Sequence, residues 1–225
     1  MKLPIKLHSG LKAIITQPYG SVSNVDWYRA NNLNIPFHNG TDIVLSGTNG
    51  QTYGTALITP SEGWRVVKIT FESPMSTSGN GVVLECQPFI EDGIKKVLQL
   101  TYWHCSEVLV NKDILPAGTT VAYMGNSGLV SPKPTPEEPY KGSHLHLMLR
   151  EYHVINGTKV LQNADNGVQG NIDPMSRFSI ADVELGSDTG IEKDLPPLLW
   201  AFATRGLKDN FSKIIFAIKN WWNGK

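Results

Sequence analysis

The sequence predicts a mainly β protein with an amphipathic helix appended at its C-terminus. Three observations carry that prediction. Gly (21) and Pro (14) are abundant in the 225 residues, as expected where turns separate short strands. Stretches rich in β-formers, such as 81–90 and 94–104, flank turn signals. Near the end, Leu207, Phe211, Ile214, Ile215, Ile218, Trp221 and Trp222 recur at three- and four-residue spacing, the mark of one helical face.

The elements follow in chain order. Residues 14–18 read as a short strand ending at Tyr19-Gly20, and 21–36 as a long polar and aromatic surface loop. PFHNGTDIVL at 36–45 is a turn running into a strand. Two short strands lie in 52–70 around a Pro60–Gly63 turn, and 71–80 is a Ser/Gly-rich loop. Glu91-Asp92-Gly93 joins 81–90 to 94–104 as a hairpin. Leu115–Gly128 gives a turn, a strand and a second turn, and 131–141, with four prolines, an extended exposed loop. His144–Val154 is a strong strand that turns at Asn156-Gly157 into 159–162. The predicted division is a domain over 1–178, a linker over 179–195 and the helical segment over 196–225.

Composition excludes several classes. Hydrophobic residues make up 40% and charged residues 18%, enough apolar material to fold. Twenty Lys+Arg balance twenty Asp+Glu, whereas a nucleic-acid binder carries a basic excess. Residues 1–16 lack the apolar run of roughly 7–15 residues of a signal peptide. Nowhere is there a run of about 18 apolar residues. The expectation is a protein made in the cytoplasm, with neither export signal nor transmembrane segment. The helical tail is expected to pack on its own domain or self-associate; its lysines beside Trp221 and Trp222 equally suit an anionic membrane surface.

Six histidines, His8, His38, His104, His144, His146 and His153, supply the chemistry-bearing pattern. His38-Asn39-Gly40-Thr41-Asp42 places an imidazole and a carboxylate four apart around a glycine bend. In a strand, His144 and His146 share one face while Leu145, Leu147 and Leu149 face a core. His104 ends the strand Val97–Trp103. A zinc hydrolase needs three N/O ligands and an open position for water. His38, Asp42 and one of the paired histidines supply such a set, leaving a histidine to take a proton or to hydrogen-bond a developing oxyanion. His144 and His104 are suited to those roles. Cys105 adjoins His104, but strand neighbours point to opposite faces, which disfavours a Cys–His nucleophile pair.

In this order the motifs resemble the M23 zinc endopeptidases, the lysostaphin-like or LytM-type peptidoglycan hydrolases. The resemblance covers roughly residues 14–175 and rests on His38-Asn39-Gly40-Thr41-Asp42, Tyr102-Trp103-His104, the Gly-rich 118–128 and Gly142-Ser143-His144-Leu145-His146. It implies a compact antiparallel β core with a groove across the sheet. It implies zinc bound by His38, Asp42 and His146, with His144 as general base on the zinc-bound water and His104 assisting at the water or the tetrahedral intermediate. Many members have a tyrosine near the site that steadies the oxyanion; Tyr28 is a candidate counterpart, which the loop spacing does not fix. The substrate implied is a peptidoglycan peptide, stem or cross-bridge, with 131–141 lining the groove. A phage endolysin or virion-associated lysin is the expected setting. A cell-wall remodelling peptidase and a catalytically silent peptidoglycan-binding component are the alternatives.

Overall fold

A computed structural model describes residues 1–8, 10–73, 77–109, 113–179 and 183–185. The expected C-terminal helix over 196–225 lies outside the described residues. Thirteen strands are described: β1 (Ala13–Gln17), β2 (Thr41–Leu45), β3 (Ala56–Ile58), β4 (Trp64–Thr70), β5 (Asn80–Cys86), β6 (Phe89–Glu91), β7 (Ile94–Cys105), β8 (Glu107–Val108), β9 (Thr120–Tyr123), β10 (Leu145–Ile155), β11 (Thr158–Leu161), β12 (Asn171–Ile172) and β13 (Val183–Leu185). A ten-stranded sheet has the path β13-β1-β2-β10-β7-β5-β4, with β11 and β12 on β10 and β6 on β7. A smaller sheet runs β3-β9-β8. Pairing is antiparallel except for β13, which joins β1 in parallel and falls in the stretch read as linker.

The two helices were not expected. Residues 21–36 are not a plain loop: α1 (Val25–Ala30) interrupts them. It buries only Tyr28, so no apolar stripe announces it. The short α2 (Asn49–Thr52) begins with a capping box between Thr48 and Gln51. No helix among the described residues is long and apolar enough to cross a membrane.

The hairpin around residues 91–93 forms as expected, turning at Asp92 and Gly93, both at positive φ. β7 continues past β6 to pair with β5. β10 lies between β2 and β7, bringing together segments far apart in sequence. Its alternation decides which residues face the core. Leu145, Leu147 and Leu149 are fully buried with Ile43, Leu100, Tyr102 and Leu84, alongside Leu57 and Ala122 of the small sheet. Burying each leucine contributes about 1.5–3 kcal/mol. A one-residue slip of β10 would expose all three leucines and bury its polar residues, so the core fixes the face that carries His146.

Ionic contacts close the sheet edge near residue 177. Arg177 donates to both oxygens of Glu91, at 2.6 and 2.8 Å, and to Glu151 at 2.7 Å. Lys96 bridges the same two carboxylates at 2.8 and 3.2 Å. Hydrogen bonds from Arg177 and then Lys96 hold the Glu91 carboxyl down to about 2. A carboxyl depressed in the folded state stabilises the fold above its ordinary pKa of 4.5, and that contribution is lost as pH falls toward 2. Arg177→Gln is expected to cost about 1–2 kcal/mol near neutral pH. The difference from wild type should shrink toward about pH 2, as read by urea unfolding across pH. A pH-independent difference would exclude the ionic origin.

Candidate metal centre

Sheet register places the cluster. Asp42 of β2 and His146 of β10 are directly opposed across an antiparallel pair, so their side chains leave the same face within contact distance. His146 Nδ1 lies 2.8 Å from Asp42 Oδ1. His38, in the turn before β2, brings Nε2 to 3.3 Å from the same oxygen and 3.1 Å from His146 Nδ1. These three residues form the one group of metal-ligating side chains found among the described residues. Ligands 2.0–2.1 Å from a tetrahedral zinc lie about 3.3 Å from each other, and the observed separations approach that. His38 donates its Nδ1 hydrogen to the Pro18 carbonyl at 3.2 Å, leaving the Nε2 lone pair aimed into the cluster. Two ring nitrogens and a carboxylate oxygen thus converge, and this donor set fits a divalent cation such as zinc.

The electrostatics agree. Burial opposes ionisation of Asp42, yet the His38, His144 and His146 rings around it hold its carboxyl well below the usual range. Burial also pulls His38 down, but the adjacent Asp42 carboxylate outweighs it and the net shift is upward. At His146 burial wins over Asp42, and the ring's pKa is lowered.

Two further histidines face this cluster, each with Nδ1 directed at a backbone carbonyl. His144 donates from Nδ1 to the Gly142 carbonyl at 2.8 Å and brings Nε2 to 3.7 Å from Asp42 Oδ1. His104 donates from Nδ1 to the Ser127 carbonyl at 2.8 Å. Burial, followed by the charges of His144 and His146, pushes the His104 pKa down to about 3. Its ring is therefore neutral near pH 7 and presents Nε2 as an acceptor. The His104 and His144 ring centres are 4.7 Å apart.

How His104 reaches the groove could not be read from alternation. Tyr102 is buried while Trp103 lines the groove, so a regular strand would turn His104 toward the core and Cys105 toward the groove. The pairing with β5 shifts register between Asn80 and Val82, and His104 adopts φ +62°. This left-handed residue turns its own side chain to the groove and that of Cys105 to the core. His104 lines the groove and Cys105 is fully buried, its thiol pushed up by burial to about 12.

The residues that sequence reasoning missed are those that seat the rings. Ser127 accepts from His104 and ties its hydroxyl to the Cys105 carbonyl at 2.8 Å. The glycines around it permit close backbone contact: a Cβ on Gly125 would stand 2.4 Å from the Ser106 nitrogen, and one on Gly128 2.3 Å from the Gly79 nitrogen. The turn chemistry was legible; its role beneath His104 was not. Gly40 has a similar reason. A Cβ there would lie 2.7 Å from both His146 Nε2 and the Leu147 carbonyl oxygen. Gly40→Ala is therefore expected to push His146 off the cluster and weaken zinc binding roughly 10–100-fold. Competition with a chromophoric chelator reads this, and unchanged affinity would exclude the packing role.

Tyr28 stacks behind His38 with ring centres 6.2 Å apart. Its hydroxyl accepts from Gln17 at 2.7 Å, which leaves the phenolic hydrogen to donate. Burial, then the charge of Asp42, raises its pKa. The cluster sits in a groove of about 940 Å3 over the open sheet face. Trp27 and Leu33 line it from the α1 segment, with Ser78 and Leu129 among its other lining residues. Of the 131–141 stretch, Ser131 lines the groove, whereas Tyr140 packs against Tyr53 at 4.7 Å.

No protein-family profile and no curated relative matches the chain. Solved structures with a similar chain path include a zinc-containing peptidase from Vibrio cholerae, at 21% identity and TM-score 0.34, covering 55% of this chain and 29% of that one. A catalytic domain of the prophage-encoded M23 protein EnpA from Enterococcus faecalis is 22% identical at TM-score 0.40, over 70% of this chain and 93% of that one. The antimicrobial peptidase lysostaphin from Staphylococcus simulans is 18% identical at TM-score 0.38, over 78% and 53%. The chain thus spans under a third of the Vibrio peptidase and about half of lysostaphin.

Proposed function

We propose that the chain is a zinc metallopeptidase acting on peptidoglycan peptides. One observation carries the reading: His38, Asp42 and His146 converge, and two further histidines, each with Nδ1 held on a backbone carbonyl, face the trio from outside it. His38, Asp42 and His146 would hold the metal. Zinc held there supplies Lewis acidity and lowers the pKa of a bound water toward about 7.

The protein's own groups do the rest. His144, its Nδ1 hydrogen fixed on Gly142, offers Nε2 to accept a proton from the attacking water. His104, fixed on Ser127, offers a second acceptor that orients that water. Once protonated, either ring turns from acceptor to donor and can pass its proton to the departing amine. Tyr28 keeps its own hydrogen for an oxyanion. The carbonyls of Pro18, Gly142 and Ser127 set the three tautomers, so the arrangement requires no reorganisation at the moment of attack. The order of the HxGxD, Y-x-H and HxH motifs supports peptidoglycan as the substrate class.

Mass spectrometry of soluble products from purified peptidoglycans of different cross-link chemistry, with and without chelator, tests the proposal. New amino termini that appear only without chelator are expected, and they name the bond. No cleavage of any wall type by zinc-loaded protein would overturn it in favour of a silent wall-binding component.

A further inference from the structure

The groove continues well past the metal cluster, and its far end is charged. Arg150 of β10 stands opposite Gln99 of β7, Gln99 opposite Glu85 of β5, and Glu85 opposite Arg65 of β4. These residues form one rung straight across four strands, and Lys159 of β11 reaches it from the side. Arg150 lies four positions from His146 on the same strand, about 13 Å at 3.3–3.4 Å per residue. An extended peptide covers that span in about four residues.

The charges at this end do not balance. Among the residues lining the groove, the carboxylates are Asp42, in the metal cluster, and Glu85. Glu85 is nearly buried and well partnered, accepting from Arg65 at 2.9 Å, Gln99 at 2.7 Å and Lys159 at 2.5 Å. Burial alone would raise its pKa, but these three partners lower it, so it stays a carboxylate already committed to two cations and an amide. Its effect is to hold Arg65 and Lys159 in place while their side chains remain 55% and 42% exposed. Among the described residues, Arg150 is held by amide oxygens alone, Asn171 at 3.2 Å and Gln169 at 3.1 Å. Lys68, exposed on β4 and also lining the groove, has no carboxylate partner among the described residues. Four cations thus surround one anion. Arg150 and Lys159 keep further N–H donors to offer, and a guanidinium is suited to bidentate carboxylate contacts.

We propose that this basic rung is a substrate subsite that takes a carboxylate carried by the peptide about four residues from the bond under attack. The groove would then select acidic peptides. Glu85 acts as a positioning residue and makes no substrate contact. The inference rests on the peptidase reading for its substrate, but its binding step is testable without cleavage.

The zinc-loaded full chain is titrated with two acetylated, amidated alanyl–glycyl pentapeptides that differ by a terminal glutamate or glutamine, followed by backbone amide shifts. The glutamate peptide is expected to bind at least ~10-fold more tightly, with shifts at Gln99, Arg150 and Lys159. Arg150→Gln and, separately, Lys68→Gln should each erode that preference; Lys68 is exposed, so its variant keeps the fold. Equal binding of the two peptides, or a preference unchanged in both variants, overturns the subsite. On a wall substrate with free rather than amidated stem carboxylates, the variants should raise KM with little change in kcat. If wild type cuts no wall substrate, the peptidase reading fails, while the titration still decides the subsite.

Discussion

Alanine at Asp42 should give a folded protein that neither retains zinc nor cleaves peptide bonds. Asp42 touches both imidazoles of the trio and supplies its only carboxylate. Without it, two neutral ring nitrogens remain, too few for the three-ligand set of a catalytic zinc. His38→Ala and His146→Ala should behave alike, because each removes one of three donors converging on the same point. Activity should fall by about three orders of magnitude or more, and zinc stoichiometry should fall to near zero. A metal bound there would also stabilise the fold, by about 2.7 kcal/mol at one hundred times its dissociation constant. Wild type should therefore melt higher with zinc than with chelator, and the three variants should not respond. A variant that keeps full zinc would remove that residue from the ligand set.

His144→Ala should separate binding from chemistry. His144 Nε2 is 3.7 Å from Asp42 Oδ1, beyond the tight trio, and its ring is anchored by Gly142 rather than by a ligand. Removing it deletes a proton acceptor and leaves three donors in place. Zinc content should stay near one per chain while kcat falls about 10²–10⁴-fold, the usual worth of a positioned acid–base group. His104→Ala should fall in the same direction with zinc retained. Loss of zinc in His144→Ala would make it a ligand and overturn the division of roles between the paired histidines.

Much of this site was legible because local rules govern its parts. The alternation of Leu145, Leu147 and Leu149 against His146 follows from strand geometry alone, and the glycine bend between His38 and Asp42 is turn chemistry. Long-range placement was not legible. Nothing local says that His146 will face Asp42, more than a hundred residues away, because that register is set by the leucine core beneath it. His104 was named from its motif, but how it reaches the groove escaped for the opposite reason, since a single left-handed residue breaks the alternation by which the strand was read. The α1 helix escaped because it buries one side chain and shows no period. The charged rung escaped because Arg65, Glu85, Gln99 and Arg150 come from four strands and look like ordinary surface residues in sequence.

X-ray absorption at the zinc edge of the full chain, purified with its metal, addresses the ligand assignment directly. One zinc per chain is expected, with only nitrogen and oxygen neighbours at about 2.0–2.1 Å and scattering from two imidazoles. The two-imidazole signature should persist in His144→Ala and drop to one, or vanish with the metal, in His146→Ala. A third imidazole in wild type, a sulfur neighbour at about 2.3 Å, or a chain that binds no zinc would contradict it.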